Sequence, residues 1–181
     1  KSGYDRITDR KKPMLYQSQF QGNLTYGNFD HDLSEPSDSD IFIEAVKEDI
    51  KIKHAIWEKI AAVAKPEAVL ATNTSGIPIQ AIAKVFKGAE RERFLGMHFF
   101  NPPRYMKLVE LIPTEFTSEA TINQLKAFTE KKLGKGVVVA NDVPAFIANR
   151  TGTHSMSDIM YRAERDRLSI TEVDALTGKA I

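Results

Sequence analysis

The sequence predicts an α/β domain built on a partly parallel sheet, and three features carry that expectation. Short, β-branched apolar runs alternate with helix-periodic segments between residues 41 and 142. The polar residues that break the apolar pattern fall at or beside the ends of those runs. Past Pro144 the pattern turns helical and stays so.

Taken in order, Ile41–Val46 (IFIEAV) reads as a buried parallel strand, because a continuous apolar run suits a strand covered on both faces. Ile52, Ile56, Ile60 and Val63 then recur at helical spacing until Pro66 stops the helix. Ala68–Thr74 (AVLATNT) is a second strand running into a turn, and Pro78–Phe86 a short helix opened by its proline. Arg93–Phe100 and Met106–Ile112 read as two further strands. Ser118–Gly134 has a serine N-cap, an acid early, lysines late and a glycine after its end, the polarity of a well-terminated helix. Gly136–Asp142 is another strand, and Ser169 with Glu172 forms a capping box that opens the last helix. The first forty residues are polar and loop-rich, with short strands expected only at Tyr16–Phe20 and Asn23–Tyr26. A boundary near Asp142–Pro144 divides the chain into a sheet domain, 1–142, and a helical segment, 143–181. The chain opens on Lys1 rather than methionine and stops just past a helix, so it reads as a piece of a longer protein.

Composition narrows the function classes. Of 181 residues, 42% are hydrophobic and 27% charged, ordinary for a globular chain. A net charge of +1 gives no reason to expect nucleic acid or an anionic membrane as partner. The absence of cysteine excludes disulfides and thiolate metal sites or nucleophiles, and no metal site is expected. No apolar run approaches the ~18 residues of a membrane span, and a cytoplasmic location is expected.

The polar interruptions are more informative. Glu44 and Glu48 follow the first strand, Asn73 and Ser75 the second, and His98 and Asn101 the third, while Glu110 sits inside the fourth. In open α/β sheets the carboxyl ends of parallel strands line the ligand crevice. The stretch GMHFFNPPRYMKLVE, residues 96–110, sets an imidazole between Met97 and Phe99 and a carboxylate between Val109 and Leu111. Those two could be tolerated polar residues at strand ends or a proton-transfer pair.

From Asp38 to Ile181 the chain resembles L-3-hydroxyacyl-CoA dehydrogenase, the oxidising enzyme of fatty-acid β-oxidation. The resemblance rests on IFIEAVKEDIKIK, ATNTSGIPI, FLGMHFFNPPRYMKLVELI and LGKGVVVANDVPAFIANR, in that order. The doubled proline and RYMKL look most like the form found in long bacterial proteins that also carry a hydratase-like segment. The resemblance implies a Rossmann-like sheet, here without its first βαβ unit, followed by the opening helices of an all-α dimerisation domain. It implies NAD as cofactor, an acyl-CoA substrate and a homodimer. His98 is then the catalytic base and Glu110 the group that orients and charges it. Ser75 contacts the substrate hydroxyl or thioester region and the cofactor, and Asn149 and Asn101 bond around the thioester carbonyl and the nicotinamide side. Ala45, Glu48 and Lys53 match positions that line the cofactor. The chemistry suits the residue types, since oxidising a secondary alcohol requires removal of its hydroxyl proton as hydride leaves. Imidazole can take that proton near neutral pH, with a carboxylate on its other nitrogen fixing the tautomer.

The chain departs from the family in one place. Its ten glycines contain no G-x-G-x-x-G, and Gly134–Gly136 precedes a strand instead of following one. The 181 residues alone are therefore expected to bind NAD poorly or not at all. A non-catalytic role in acyl-CoA binding or subunit assembly is the alternative. A dehydrogenase of another β-hydroxy acid, which would use a lysine base, is disfavoured by the His98–Glu110 pair. The remaining histidines, His31, His54 and His154, are expected to be surface or structural, and Arg10–Lys12 a solvated cluster. Phe146, Ile147, Met156, Ile159 and Met160 are expected to form the dimerising face.

Overall fold

The computed structural model describes residues 22–178. The expected strand Tyr16–Phe20 and the basic run at residues 10–12 lie outside them. Strand β1 is Ile41–Glu44, helix α1 Ile50–Val63, β2 Val69–Thr72, α2 Ile79–Ala83, β3 Phe94–Phe99 and β4 Leu108–Pro113. Helix α3 spans Glu119–Lys131, β5 Gly136–Val139, α4 Ala148–Arg165 and α5 Ile170–Thr177.

Each of these elements between 41 and 177 was expected from the sequence; Asn23–Tyr26 was not borne out as a strand. That segment is exposed apart from Leu24, so it has no apolar face to bury. Just beyond it, local side chains capture the backbone. Asn28 Oδ1 accepts the N–H groups of Asp30 and His31, and Asp32 Oδ2 accepts that of Asn28. Such bonds offer the chain an alternative to a ladder.

The five strands lie in chain order in one sheet, β1-β2-β3-β4-β5. The β1–β2, β2–β3 and β4–β5 pairings are parallel, and β3–β4 is antiparallel. Alternation along the strands gives the sheet two faces. Leu70, Phe94 and Ile112 meet Trp57, Ile60, Ile79 and Ile82 from α1 and α2 on one side. Val69, Ala71, Leu95, Met97, Val109 and Leu111 meet Leu125 and Phe128 of α3 on the other. Gly96 lets α2 approach closely, since a Cβ there would lie 2.8 Å from Ile79 Cδ1. At the end of α3, Gly134 adopts φ 63°, the left-handed conformation glycine reaches without strain.

The helices after the sheet differ from those before it. Neither α4 nor α5 contributes a fully buried residue, and Met156, Met160, Tyr161, Ile170 and Leu176 are exposed. Phe146, by contrast, is buried in the core instead of joining that face. No helix among the described residues is long and apolar enough to cross a membrane.

Candidate active site

The antiparallel register of β3 and β4 sets His98 directly opposite Glu110. Opposite residues in a ladder share a face, so the two side chains meet on the side of the sheet that carries Phe94 and Ile112. His98 Nδ1 lies 2.8 Å from Glu110 Oε2, with both side chains buried. The other oxygen, Oε1, accepts the N–H groups of Ile147 (3.0 Å) and Ala148 (2.8 Å), where α4 begins. Donors thus converge on both carboxylate oxygens, and a carboxylate offers only acceptors, so Nδ1 carries the ring proton and Nε2 is left as the basic nitrogen.

Nε2 faces Ser75, whose Oγ is 3.0 Å away. Ser75 is exposed in the loop between β2 and α2, so the buried imidazole reaches the surface of the crevice through it. Edge-on rings of Phe100 and Phe146, with centroids 4.7 and 5.5 Å from that of the imidazole, wall the ring. Ala145 and Phe146 hold φ of 63° and 50°, rare for non-glycine residues, and this bend delivers both the Phe146 ring and the α4 amides to the pair.

One amide and two acids pin the Ser75 loop. At its start Asn73 donates its N–H to the Glu44 carbonyl (2.8 Å), and its Oδ1 accepts the Phe99 N–H (2.9 Å). In its middle, Glu48 Oε1 accepts the N–H groups of Ser75 (3.1 Å), Gly76 (2.9 Å) and Ile77 (3.1 Å) and the hydroxyl of Thr74. At its end Asp142 accepts the N–H groups of Ile79 (2.9 Å) and Gln80 (2.8 Å), capping α2. Partial burial works against the charge on Glu48, but the Thr74 hydroxyl, the Gly76 and Ile77 amides and Lys53 outweigh it and hold the carboxyl down at about 2.

Lys53 lies behind this loop and is fully buried. Its ammonium is 2.8 Å from Glu44 Oε1, 3.3 Å from Glu48 Oε2 and 3.5 Å from the Val46 carbonyl. Glu44, also buried, further accepts the Thr72 hydroxyl at 2.7 Å. A buried lysine keeps its charge only with such partners.

Of the residues singled out from the sequence, the structure brings Ser75, His98 and Glu110 into one hydrogen-bonded line and links Glu48 and Lys53 to it through the loop. Ala45 is exposed just past β1, and Asn101 is exposed beyond β3. Asn149 lies one residue past Ala148 in the first turn of α4. His54 bonds the Ala81 carbonyl at 3.0 Å, joining α1 to α2. Thr74, Asp142, Phe146 and the α4 amides were missed by sequence reasoning. Asp142 had no local signal, since its partners are more than sixty residues away. Thr74 was hidden by standing in a run that reads as strand.

The family described as "3-hydroxyacyl-CoA dehydrogenase, NAD binding domain" matches residues 2–143. The chain belongs to that family. A probable 3-hydroxyacyl-CoA dehydrogenase of Deinococcus radiodurans is 39% identical over the whole of this chain, which covers 52% of it. The fatty acid oxidation complex subunit alpha of Vibrio vulnificus is 40% identical over 78% of this chain and 20% of its own length. Among solved structures, M. tuberculosis FadB2 superposes with a TM-score of 0.78 at 33% identity, covering 94% of this chain and 59% of that one. (S)-3-hydroxybutyryl-CoA dehydrogenase PaaH1 from Ralstonia eutropha gives 0.73 at 29% identity, with the same coverage of both chains. This chain thus spans about half the length of the first of these relatives and about a fifth of the second.

NAD is the cofactor of this family's domain. The residues present fit part of it. At the carboxyl ends of β1 and β2, Ala45 and Ser75 are exposed and the Glu48 side chain is half-exposed, polar groups and open space of the kind a nicotinamide needs. The sequence has no glycine-rich turn for the pyrophosphate.

Proposed function

We propose that this chain carries the catalytic centre of an NAD-dependent L-3-hydroxyacyl-CoA dehydrogenase, with His98 as general base. One observation carries the reading: a buried His98–Glu110 pair, 2.8 Å apart, whose free Nε2 faces an exposed serine. The substrate hydroxyl takes its place beside Ser75 Oγ and gives its proton to His98 Nε2. Bound NAD+ supplies the acceptor for the hydride leaving the same carbon, so the alcohol becomes a ketone with one proton and one hydride accounted for. Glu110 stabilises the imidazolium that forms, and the apolar rings of Phe100 and Phe146 exclude water from it. Ser75, Asn101 and Asn149 hydrogen-bond the substrate and the nicotinamide side, and Ala45, Glu48 and Lys53 belong to the cofactor face. Residues 143–181 begin a helical domain through which two copies pair in the cytoplasm, which accounts for the exposed methionines of α4. Light scattering over a concentration series is expected to show self-association, and a monomer at every concentration would refute the pairing.

A serine-hydrolase reading arises from the same geometry, because the Ser75–His98–Glu110 line has the order of a catalytic triad. Glu48 argues against it. The amides of Ser75, Gly76 and Ile77, which could form an oxyanion hole, all donate to a carboxylate. An anion formed there would meet negative charge in place of free donors. Lys53 is no candidate base either, since its ammonium is shared between Glu44 and Glu48.

The test is His98→Gln in a form of the protein supplied with a pyrophosphate-binding turn. Turnover is expected to fall by roughly 10²–10⁴-fold with acyl-CoA affinity nearly intact, as for a group that acts in the transition state. Unchanged turnover would remove His98 from the mechanism and favour a binding or assembly role. The 181-residue chain alone is expected to show no NAD binding at millimolar cofactor by calorimetry, and micromolar binding would refute that expectation.

A further inference from the structure

We infer that Glu48 is a positioning residue for Ser75, acting through the backbone of residues 74–77 and itself held by buried Lys53. The inference deepens the dehydrogenase reading and rests on it for its functional meaning. Its structural content stands on contacts made within the protein.

One oxygen of Glu48 gathers three consecutive amides and a hydroxyl. Successive N–H groups can point at one atom only when the backbone curls around it, so this oxygen sets the curvature of the loop at Ser75. The loop is anchored at both ends by Asn73 and Asp142, and in its middle the backbone N–H groups of Ser75, Gly76 and Ile77 all go to Glu48. Ser75 has one χ1 torsion between its backbone and Oγ. Fixing the backbone therefore limits that hydroxyl to a few staggered positions, one of which meets His98 Nε2. The second oxygen of Glu48 is tied to Lys53, which is tied to Glu44 at the end of β1 and, through Glu44, to Thr72 at the end of β2. The charge of Lys53 and the position of Glu48 are thus referred to the rigid sheet. A loop residue held in this way can keep a proton acceptor and its partner aligned to a few tenths of an ångström, the tolerance that proton transfer requires.

The experiment uses 15N NMR of the 181-residue chain without ligand, reading the His98 imidazole nitrogens and the amides of Ser75, Gly76 and Ile77. Ser75→Ala calibrates the shift of His98 Nε2 on losing its hydroxyl partner. Glu48→Ala is expected to reproduce most of that shift and to speed hydrogen exchange at the three amides by about tenfold or more. Glu48→Gln, which keeps an acceptor oxygen, is expected to restore both in large part. Thr74→Val, which removes one donor and is milder in its effect on folding, should move the same signals less and in the same direction. If Glu48→Ala and Thr74→Val both leave the His98 signals at their wild-type positions while Ser75→Ala moves them, the inference is overturned. Loss of NAD affinity alone, measured in the form supplied with a pyrophosphate-binding turn, would then mark Glu48 as a plain ligand of the cofactor. Failure of the dehydrogenase reading shows itself separately, as turnover that survives His98→Gln.

Discussion

Glu110 and Glu48 solve one problem in two places. Each uses a single oxygen to collect consecutive backbone N–H groups, Ile147 and Ala148 in one case and Ser75, Gly76 and Ile77 in the other. Each spends its second oxygen on a basic side chain, His98 or Lys53. They differ in solvent access, since the Glu110 side chain is sealed and that of Glu48 is 42% exposed. The difference separates two kinds of work. A sealed carboxylate interacts strongly with the imidazole and has no water to replace a lost partner. A half-exposed one shapes a loop at small energetic risk, because water can take over its acceptor role. The two acids also tie the surroundings of the imidazole to different parts of the molecule, Glu110 holding it to the first turn of α4 and Glu48 holding the loop after β2 that carries Ser75.

Removing the acids tests that contrast. Glu110→Ala strands the ring N–H and two amides in a dry place, and about 3–5 kcal/mol of unfolding free energy should be lost in urea titrations. A cost below that of Glu48→Ala would mean the site floods with water and that Glu110 is not sealed. Glu48→Ala should cost only about 1 kcal/mol, because solvent reaches the loop. Glu110→Gln should hold the fold better than Glu110→Ala yet cut turnover heavily, since the imidazolium loses its counter-charge.

Acid separates the pair further. The Glu48 carboxyl is depressed from 4.5 to about 2, so ionisation favours the native loop. Its contribution is complete above pH 4.5 and lost as pH falls through about 2. Protection of the Ser75–Ile77 amides should therefore persist at pH 4.5 and collapse towards 2; loss already at 4.5 would contradict the depressed value. The smallest effect lies at the bend beside Glu110. Ala145→Gly relieves a left-handed alanine but frees the unfolded chain, so stability should change by no more than ~1 kcal/mol. A fluorophosphonate probe should leave Ser75 unlabelled in the wild-type chain, and rapid labelling would revive the hydrolase reading.

Much of this was legible in advance. Strand and helix order followed from local periodicity, and caps such as Ser118 and the Ser169–Glu172 box act within one turn of their own position. The ends of elements were less so. Ile41–Val46 reads as one run, but Val46 gives its N–H to Glu44 Oε1 at 2.7 Å, and β1 stops at Glu44. The run Ala68–Thr74 likewise ends at Thr72, because Asn73 and Thr74 are taken by the site.

His98 and Glu110 stood out as interruptions of apolar pattern, and their residue types already pointed to proton transfer. Local chemistry of that kind is written in neighbouring letters: period, charge, a cap, a proline. That the two face each other depends on β3 and β4 running antiparallel with one register, which a spacing of twelve residues permits but does not require. The same holds for the Glu48 carboxylate under Ser75, Asp142 on α2 and the α4 amides on Glu110. These bonds join residues 27 to 63 positions apart, and their partners become neighbours only when burial of the two sheet faces brings the elements together. Packing, a property of the whole chain, made a site from residues that the pattern could only nominate.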